Sequence, residues 1–174
     1  MPSDLFDDNG FQDVRNVEPR GSNLSAADDR TLRMASLVLD RALLEALISY
    51  QRAFLADAEQ GTGDLDVARA HTRALEASQL EALTAERGIA LLRSFGGRRW
   101  TVRKLQDKLQ QLEGASDARA EELRPRIRGE LASQERETDA LGRRYGDATV
   151  ALLREHEDVL VDLHTRMTGL LSRG

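Results

Sequence analysis

Apolar residues recur every three to four positions along most of the chain, the spacing of amphipathic α-helices. This spacing predicts three long helices, over residues 26–60, 65–112 and 116–171. Ser25 and Asp28 fit a capping box at the start of the first helix. Gly63 separates the first helix from the second, and Gly114 separates the second from the third. We therefore expect an all-α fold in which the three helices run antiparallel.

The pair Gly96 and Gly97 interrupts the second helix and predicts a joint. Two glycines cost about 2 kcal/mol relative to alanine inside a helix, so their presence indicates a bend or the close approach of another backbone. Beyond this pair the apolar pattern narrows to the seam of a two-helix coiled coil. The prediction is an elongated three-helix bundle, residues 25–97 plus 132–174, with a projecting two-helix coiled-coil stalk, residues 98–131.

A second apolar stripe follows the first helix, away from its main apolar face. Four aligned aliphatic side chains are more than a soluble monomer usually exposes. We therefore expect this stripe to be an interface of a homo-oligomer, with a dimer as the first expectation. Its residues are Leu37, Leu44, Ile48 and Leu55.

The first 24 residues are polar, contain glycine and proline, and lack a helical period, which is typical of a tail that is disordered when alone. Apolar side chains nevertheless occur among its acids. Such a segment can dock as a short peptide into a groove of a partner. The other interpretation is that its two rings pack onto the body of the same protein. The docking residues are Leu5, Phe6, Phe11 and Val14.

Composition narrows the class of protein. Only 4% of the residues are aromatic, and the chain has no cysteine, which excludes disulfides and thiolate metal sites. No apolar run has the length of a membrane span, so we expect a cytoplasmic protein without membrane insertion. Arginine far outnumbers lysine, as GC-rich coding produces, and this favours a bacterial source.

Opposite charges lie on the tail and the stalk. Residues 1–30 carry seven acids and three bases, a net charge of −4, whereas residues 98–128 carry nine bases and five acids, a net charge of +4. The basic segment predicts a site for an acidic peptide, and the tail of the same protein is one candidate; nucleic acid is the least favoured partner. The other interpretation is an ordinary solvated helix face whose tryptophan covers the body core. The site residues are Arg98, Arg99, Trp100, Arg103, Lys104 and Lys108.

The patterns of known catalytic sites are missing from the sequence. A di-iron bundle needs glutamate three residues before histidine, and none of His71, His156 and His164 has one. The glycine pair lacks the lysine of a phosphate-binding loop. His156 shares a face with apolar residues and is interpreted as a core histidine. We therefore expect a protein that is not an enzyme and that has no cofactor or metal.

The segment Thr84–Gly97, TAERGIALLRSFGG, and the leucines of Tyr145–Leu163 resemble the helical hairpin of the FlgN-type export chaperones. These are small acidic cytoplasmic proteins of flagella and related type III secretion systems that hold unfolded helical substrates. The resemblance implies that the apolar face of residues 152–171 binds the client. The chain departs from the family in its long acidic tail, and in having Gly146 and Thr149 where the family tends to place asparagines.

Two functions follow from these observations. The first is a non-enzymatic oligomeric adaptor or scaffold that acts through helical protein–protein interfaces. The second is a cytoplasmic export chaperone that binds an amphipathic client helix. The two differ in what covers the apolar faces, which is the protein itself in one case and the client in the other.

Overall fold

The computed structural model describes residues 37–61 and 64–172, except for the side chains of residues 64–66. Every regular element in these ranges is an α-helix and none is a strand, which confirms the all-α class. The helices are α1 (Arg41–Ala58), α2 (Asp64–Ser78), α3 (Ala82–Leu112), α4 (Ala118–Tyr145), α5 (Asp147–Glu155) and α6 (Glu157–Leu171).

The first predicted helix is interrupted. Residues 37–40 are not helical, and α1 begins at Arg41 because Asp40 caps it: its Oδ1 accepts from the amide of Leu43 at 2.7 Å. An aspartate in extended conformation is a strong helix start, and here it overrides the continuous apolar period. The predicted cap at Ser25 lies outside the described residues.

The second predicted helix is broken, but at a different place from the glycine pair. The break follows α2, where Gln79 has a φ of 57°, and α3 then runs without interruption through Gly96 and Gly97. The expected joint is therefore not a break in the helix. The other form of the prediction, a close backbone contact, is what the structure shows at Gly96. An added Cβ there would lie 2.8 Å from the carbonyl oxygen of Leu160.

The third predicted helix is divided into α4, α5 and α6. Helix α4 begins at Ala118, two residues after the predicted start, because Asp117 caps it: its Oδ1 accepts from the amide of Ala120 at 2.7 Å. Gly146 ends α4 with a φ of 95°, a conformation that residues with a side chain rarely adopt. A second break at His156 separates α5 from α6. Helix α4 continues through Pro125. Proline has no amide hydrogen, so one carbonyl of the preceding turn lacks its helical donor. Because Pro125 is exposed, water can donate to this carbonyl instead.

Buried side chains form two clusters. The first is contributed by all six helices and contains Phe95, Leu91 and Leu153, each fully buried. The second lies between α3 and α4 alone, within residues 98–131, and is built from Leu105, Leu112, Ala120, Leu123 and Ile127. Helix α3 passes through both clusters and so joins them in one continuous element.

The second apolar stripe of the first predicted helix is inside the molecule. Leu44 and Leu55 have no exposed surface and Ile48 is 5% exposed, while Leu37 packs partly buried against the first cluster. The prediction that Leu37, Leu44, Ile48 and Leu55 face outward is wrong. Other helices cover both sides of α1, because α2 packs on it in addition to α3 and α6. The expected dimer thereby loses the observation on which it was based.

Candidate functional site

The segment that was expected to be a basic surface lies where α3, α4 and α6 meet. Arg99 is at the centre, and its side chain is only 11% exposed. Its Nη1 donates to Glu135 Oε1 at 2.6 Å, and its Nε donates to Glu157 Oε1 at 2.5 Å. The Arg99 guanidinium also holds the pKa of Glu135 below its ordinary value, more strongly than burial raises it. One arginine on α3 thus ties the carboxylates of two other helices together.

The neighbouring arginines are paired in the same way. Arg103 Nη2 donates to Glu157 Oε2 at 2.9 Å and to Asp158 Oδ1 at 2.5 Å, and Arg98 Nη1 donates to Glu137 Oε2 at 2.8 Å. Because carboxylates within the chain compensate these charges, Arg98, Arg99 and Arg103 do not form the open cationic face that their sequence suggested. Together these ion pairs form a structural junction that joins α3 to α4 and α6.

The surroundings of the other predicted site residues, Trp100, Lys104 and Lys108, differ from those of the arginines. The Trp100 ring lies 5.8 Å from the His164 ring, centroid to centroid, and Lys104 Nζ lies 5.5 Å from the centroid of the Trp100 ring. Trp100 is half-buried. Lys104 is exposed and Lys108 is half-buried.

The three histidines have structural surroundings. Tyr50 Oη lies 2.5 Å from His71 Nδ1, which joins α1 to α2. His156 Nδ1 lies 2.9 Å from the carbonyl oxygen of Leu152, so this nitrogen carries the hydrogen because a carbonyl can only accept. Burial lowers the pKa of His164, and the nearby charge of Arg93 lowers it further. In the described ranges no group of three or more histidine, aspartate or glutamate side chains is placed to hold a metal ion.

A groove of about 330 Å³ lies between α1 and the turn from α5 to α6. Ile48 of α1 and Val159 of α6 supply its apolar surface, while Glu45, Ser49 and Arg52 of α1 and His156 supply polar edges. On α1, Ile48 and Ser49 each lie three or four residues from both Glu45 and Arg52, so the four residues lie along one side of the helix.

Ion pairs fix α1 against the other wall of this groove on both sides of Ile48. Arg41 Nη2 lies 2.7 Å from Glu155 Oε2, near the start of α1. Past the end of α1, Arg166 makes a two-pronged contact with Glu59, with distances of 3.0 and 3.2 Å. Charged contacts thus connect α1 and the residue after it to α5 and α6 on either side of the groove.

Sequence reasoning missed the groove because it assigned Ile48 to an outward stripe. The sequence did contain a signal for the groove: on this side of the helix, one aliphatic residue lies among polar residues of both charges. These residues are Glu45, Ile48, Ser49 and Arg52. The predicted docking residues Leu5, Phe6, Phe11 and Val14 lie outside the described residues.

None of the described helices is long and apolar enough to cross a membrane. Comparison of the chain with protein-family models, with curated proteins and with solved structures gives no match. The likeness to FlgN-type chaperones therefore remains a resemblance of sequence, and the groove and the junction have to be interpreted from their own chemistry.

Proposed function

We propose that this protein is a non-enzymatic adaptor that binds an amphipathic helical segment of another protein in the groove between α1 and α6. The observation that carries the proposal is the composition of the groove. Its apolar floor, formed by Val159, which is half-buried, and by Ile48, which is 5% exposed, lies between polar edges that bear both charges at Glu45 and Arg52. Helix-in-groove recognition uses this arrangement: the apolar face of the bound helix is buried and its flanking charges pair with the edges.

The architecture supports the same function. Helix α3 has 31 residues, about 45 Å at 1.5 Å per residue, and it runs through both apolar clusters. We propose that the first cluster forms the body and that α3 and α4 form a two-helix stalk over residues 98–131, locked to the body by Arg99 and Arg103. A partner in the groove would then be held at a fixed position relative to the stalk, as a scaffold requires.

The export-chaperone alternative has less support. It assigns client binding to the apolar face of residues 152–171, whereas Leu153, Leu160 and Leu163 of that face are buried in the first cluster. A client would have to displace the core of the chaperone. The adaptor requires a smaller change, because Val159 of the groove is half-buried and Glu45, Ser49 and Arg52 are exposed.

The experiment that tests the adaptor is co-isolation of partners from the source cells by the tagged full chain. Ser49 is exposed at the groove, so Ser49→Trp fills the groove without disturbing the core. Ser116→Trp is the matched control, an exposed serine in the turn between α3 and α4. We expect a partner that is recovered with wild type and with Ser116→Trp but reduced at least tenfold with Ser49→Trp. Equal recovery with both variants would contradict binding in the groove. The mass of the purified chain in solution tests the predicted dimer separately.

A further inference from the structure

Polar residues interrupt the contact between α3 and α4. The buried and half-buried side chains along one side of α4 recur at alternating intervals of four and three residues, the spacing of a two-helix seam. They are Ile127, Leu131, Gln134, Thr138 and Leu141. Ile127 and Leu131 pack in the second cluster and Leu141 packs in the first, so the two polar residues between them separate the clusters. We call Gln134 and Thr138 the polar layer.

The side chains of the polar layer bond within α4 and, among the described residues, to none in α3. Gln134 Nε2 donates to Glu130 Oε1 at 3.3 Å, and the Thr138 hydroxyl donates to the carbonyl oxygen of Gln134 at 3.1 Å. Gln134 Oε1 is buried without a hydrogen-bond donor in the part of the chain that the structure describes. Polar residues at seam positions lower stability, and a buried acceptor that gains no donor lowers it further. The seam is therefore weaker at the polar layer than in the clusters on either side.

Charged contacts fasten α3 to α4 and α6 at the level of the polar layer. Arg99 binds Glu135 of α4 and Glu157 of α6, and Arg103 also binds Glu157. Glu135 directly follows Gln134, so this fastening lies beside the polar layer. Beyond Arg103, α3 and α4 pack on each other through the second cluster. The hairpin of residues 104–131 is thus attached to the first cluster across charged and polar contacts rather than by continuous apolar packing.

We propose that this hairpin, residues 104–131, opens and closes as a unit of its own while the helices around the first cluster stay folded. Units of local opening often coincide with supersecondary motifs, and two helices joined by a short turn are such a motif. The polar layer sets the limit of the opening, because the apolar contacts on its two sides do not depend on each other. Opening uncovers the second cluster, including Leu105 and Leu123, so the hairpin holds an apolar seam that is exposed only part of the time.

Hydrogen exchange of the full chain, resolved by residue, measures whether the hairpin opens alone. Two variants each remove one methyl group from a buried isoleucine, Ile89→Val in the first cluster and Ile127→Val in the second. We expect the amides of residues 104–131 to exchange about tenfold faster, or more, than the slowest amides around the first cluster, because their opening requires less unfolding.

The two variants separate local from global opening. Ile127→Val should raise exchange of the hairpin severalfold. Ile89→Val should raise exchange of the slowest amides severalfold and leave the hairpin unchanged, since the first cluster stays intact when the hairpin opens. An equal rise in hairpin exchange in both variants would overturn the proposal, because the hairpin would then open only with the whole molecule. Hairpin exchange that does not respond to Ile127→Val would overturn it as well.

A second pair of variants tests whether the polar layer is the cause. Gln134→Leu places an apolar side chain in the seam, and Gln110→Leu makes the same change at an exposed position of α3. We expect Gln134→Leu to slow hairpin exchange severalfold and Gln110→Leu to leave it nearly unchanged, because burial of the added apolar surface favours the closed seam. Equal slowing in both variants, or none in Gln134→Leu, would overturn the role of the polar layer. Neither pair involves the groove, so the opening can fail while the adaptor stands, and stand while the adaptor fails.

Discussion

Among the described glycines, Gly96 is the one whose position beside another helix would bring an added Cβ against backbone. A Cβ at Gly96 would meet the carbonyl oxygen of Leu160 at 2.8 Å, and backbone cannot move aside as a side chain can. At Gly97 the nearest atom is Cε1 of the His164 ring, at 3.1 Å. The two glycines therefore differ in role although they are adjacent.

Gly96→Ala should lower the free energy of unfolding by about 1–3 kcal/mol, because the helices must separate. Gly97→Ala should be close to neutral, since the gain in helix propensity of about 1 kcal/mol offsets a small shift of His164. Gly129→Ala, in α4 with nothing within 4 Å of an added Cβ, is the control and should be stabilising. Urea unfolding of the three variants measures this, and equal effects at Gly96 and Gly129 would contradict the close contact.

Arg99 is the other residue whose role the structure defines. Arg99→Met should destabilise the fold by about 2–3 kcal/mol, because it removes charged hydrogen bonds to two carboxylates. Arg103→Met should change stability by less than about 1 kcal/mol, since Arg103 is 38% exposed and its partner Asp158 is 92% exposed. Thermal unfolding of both variants at low and high salt compares them. A larger effect at Arg103 than at Arg99 would refute the junction as described.

At the scale of elements, the boundaries of the helices depend on single residues. Helix α1 starts at Asp40, and Asp40→Ala should cost about 1 kcal/mol because the amide of Leu43 loses its acceptor. Asp40→Asn should retain most of the stability, as asparagine caps nearly as well. Chemical denaturation distinguishes these variants, and equal loss in both would indicate that the charge of Asp40 matters rather than its cap.

The helical character of the chain could be predicted from the apolar period, but its breaks could not. Asp40, Gln79, Gly146 and His156 end or start helices through local capping or backbone conformation, and none of them disturbs the spacing of the leucines. Gly96 and Gly97 carry the stronger signal in sequence, yet they lie inside α3, where the close backbone contact with Leu160 favours glycine at position 96.

The site was predicted less well than the fold, for a reason that concerns packing. Periodicity shows that Leu44 and Ile48 share a face, but it does not show how many helices surround α1. The arginines at residues 98, 99 and 103 looked like a free basic surface because their partners, among them Glu135 and Glu157, are more than 35 residues away in sequence.

At the scale of the molecule, two titrating groups predict how stability depends on pH. The pKa of His164 is lowered from 6.5, mainly by burial, so the unfolded chain takes up the proton first, and stability should fall as the pH drops below 6.5. The pKa of Glu135 is lowered from 4.5 chiefly by its hydrogen bond to Arg99, so its contribution is present above 4.5 and is lost as the pH falls through the folded pKa.

His164→Gln should remove the first part of this dependence and leave the second, whereas Arg99→Met should weaken the second. Trp100 is the only tryptophan and lies beside His164, so its fluorescence can follow urea unfolding at each pH. The same loss of stability between pH 7 and pH 5 in wild type and in His164→Gln would show that His164 is not responsible.

Site-specific photo-cross-linking tests the binding groove most directly. A photoreactive amino acid replaces Ser49 in the full chain, with the same replacement at Ser116 as control. We expect position 49 to cross-link in the source cells to one helical segment of another protein, whereas position 116 does not. Cross-links at position 49 that are no more frequent or specific in cells than those at position 116 would contradict binding in the groove.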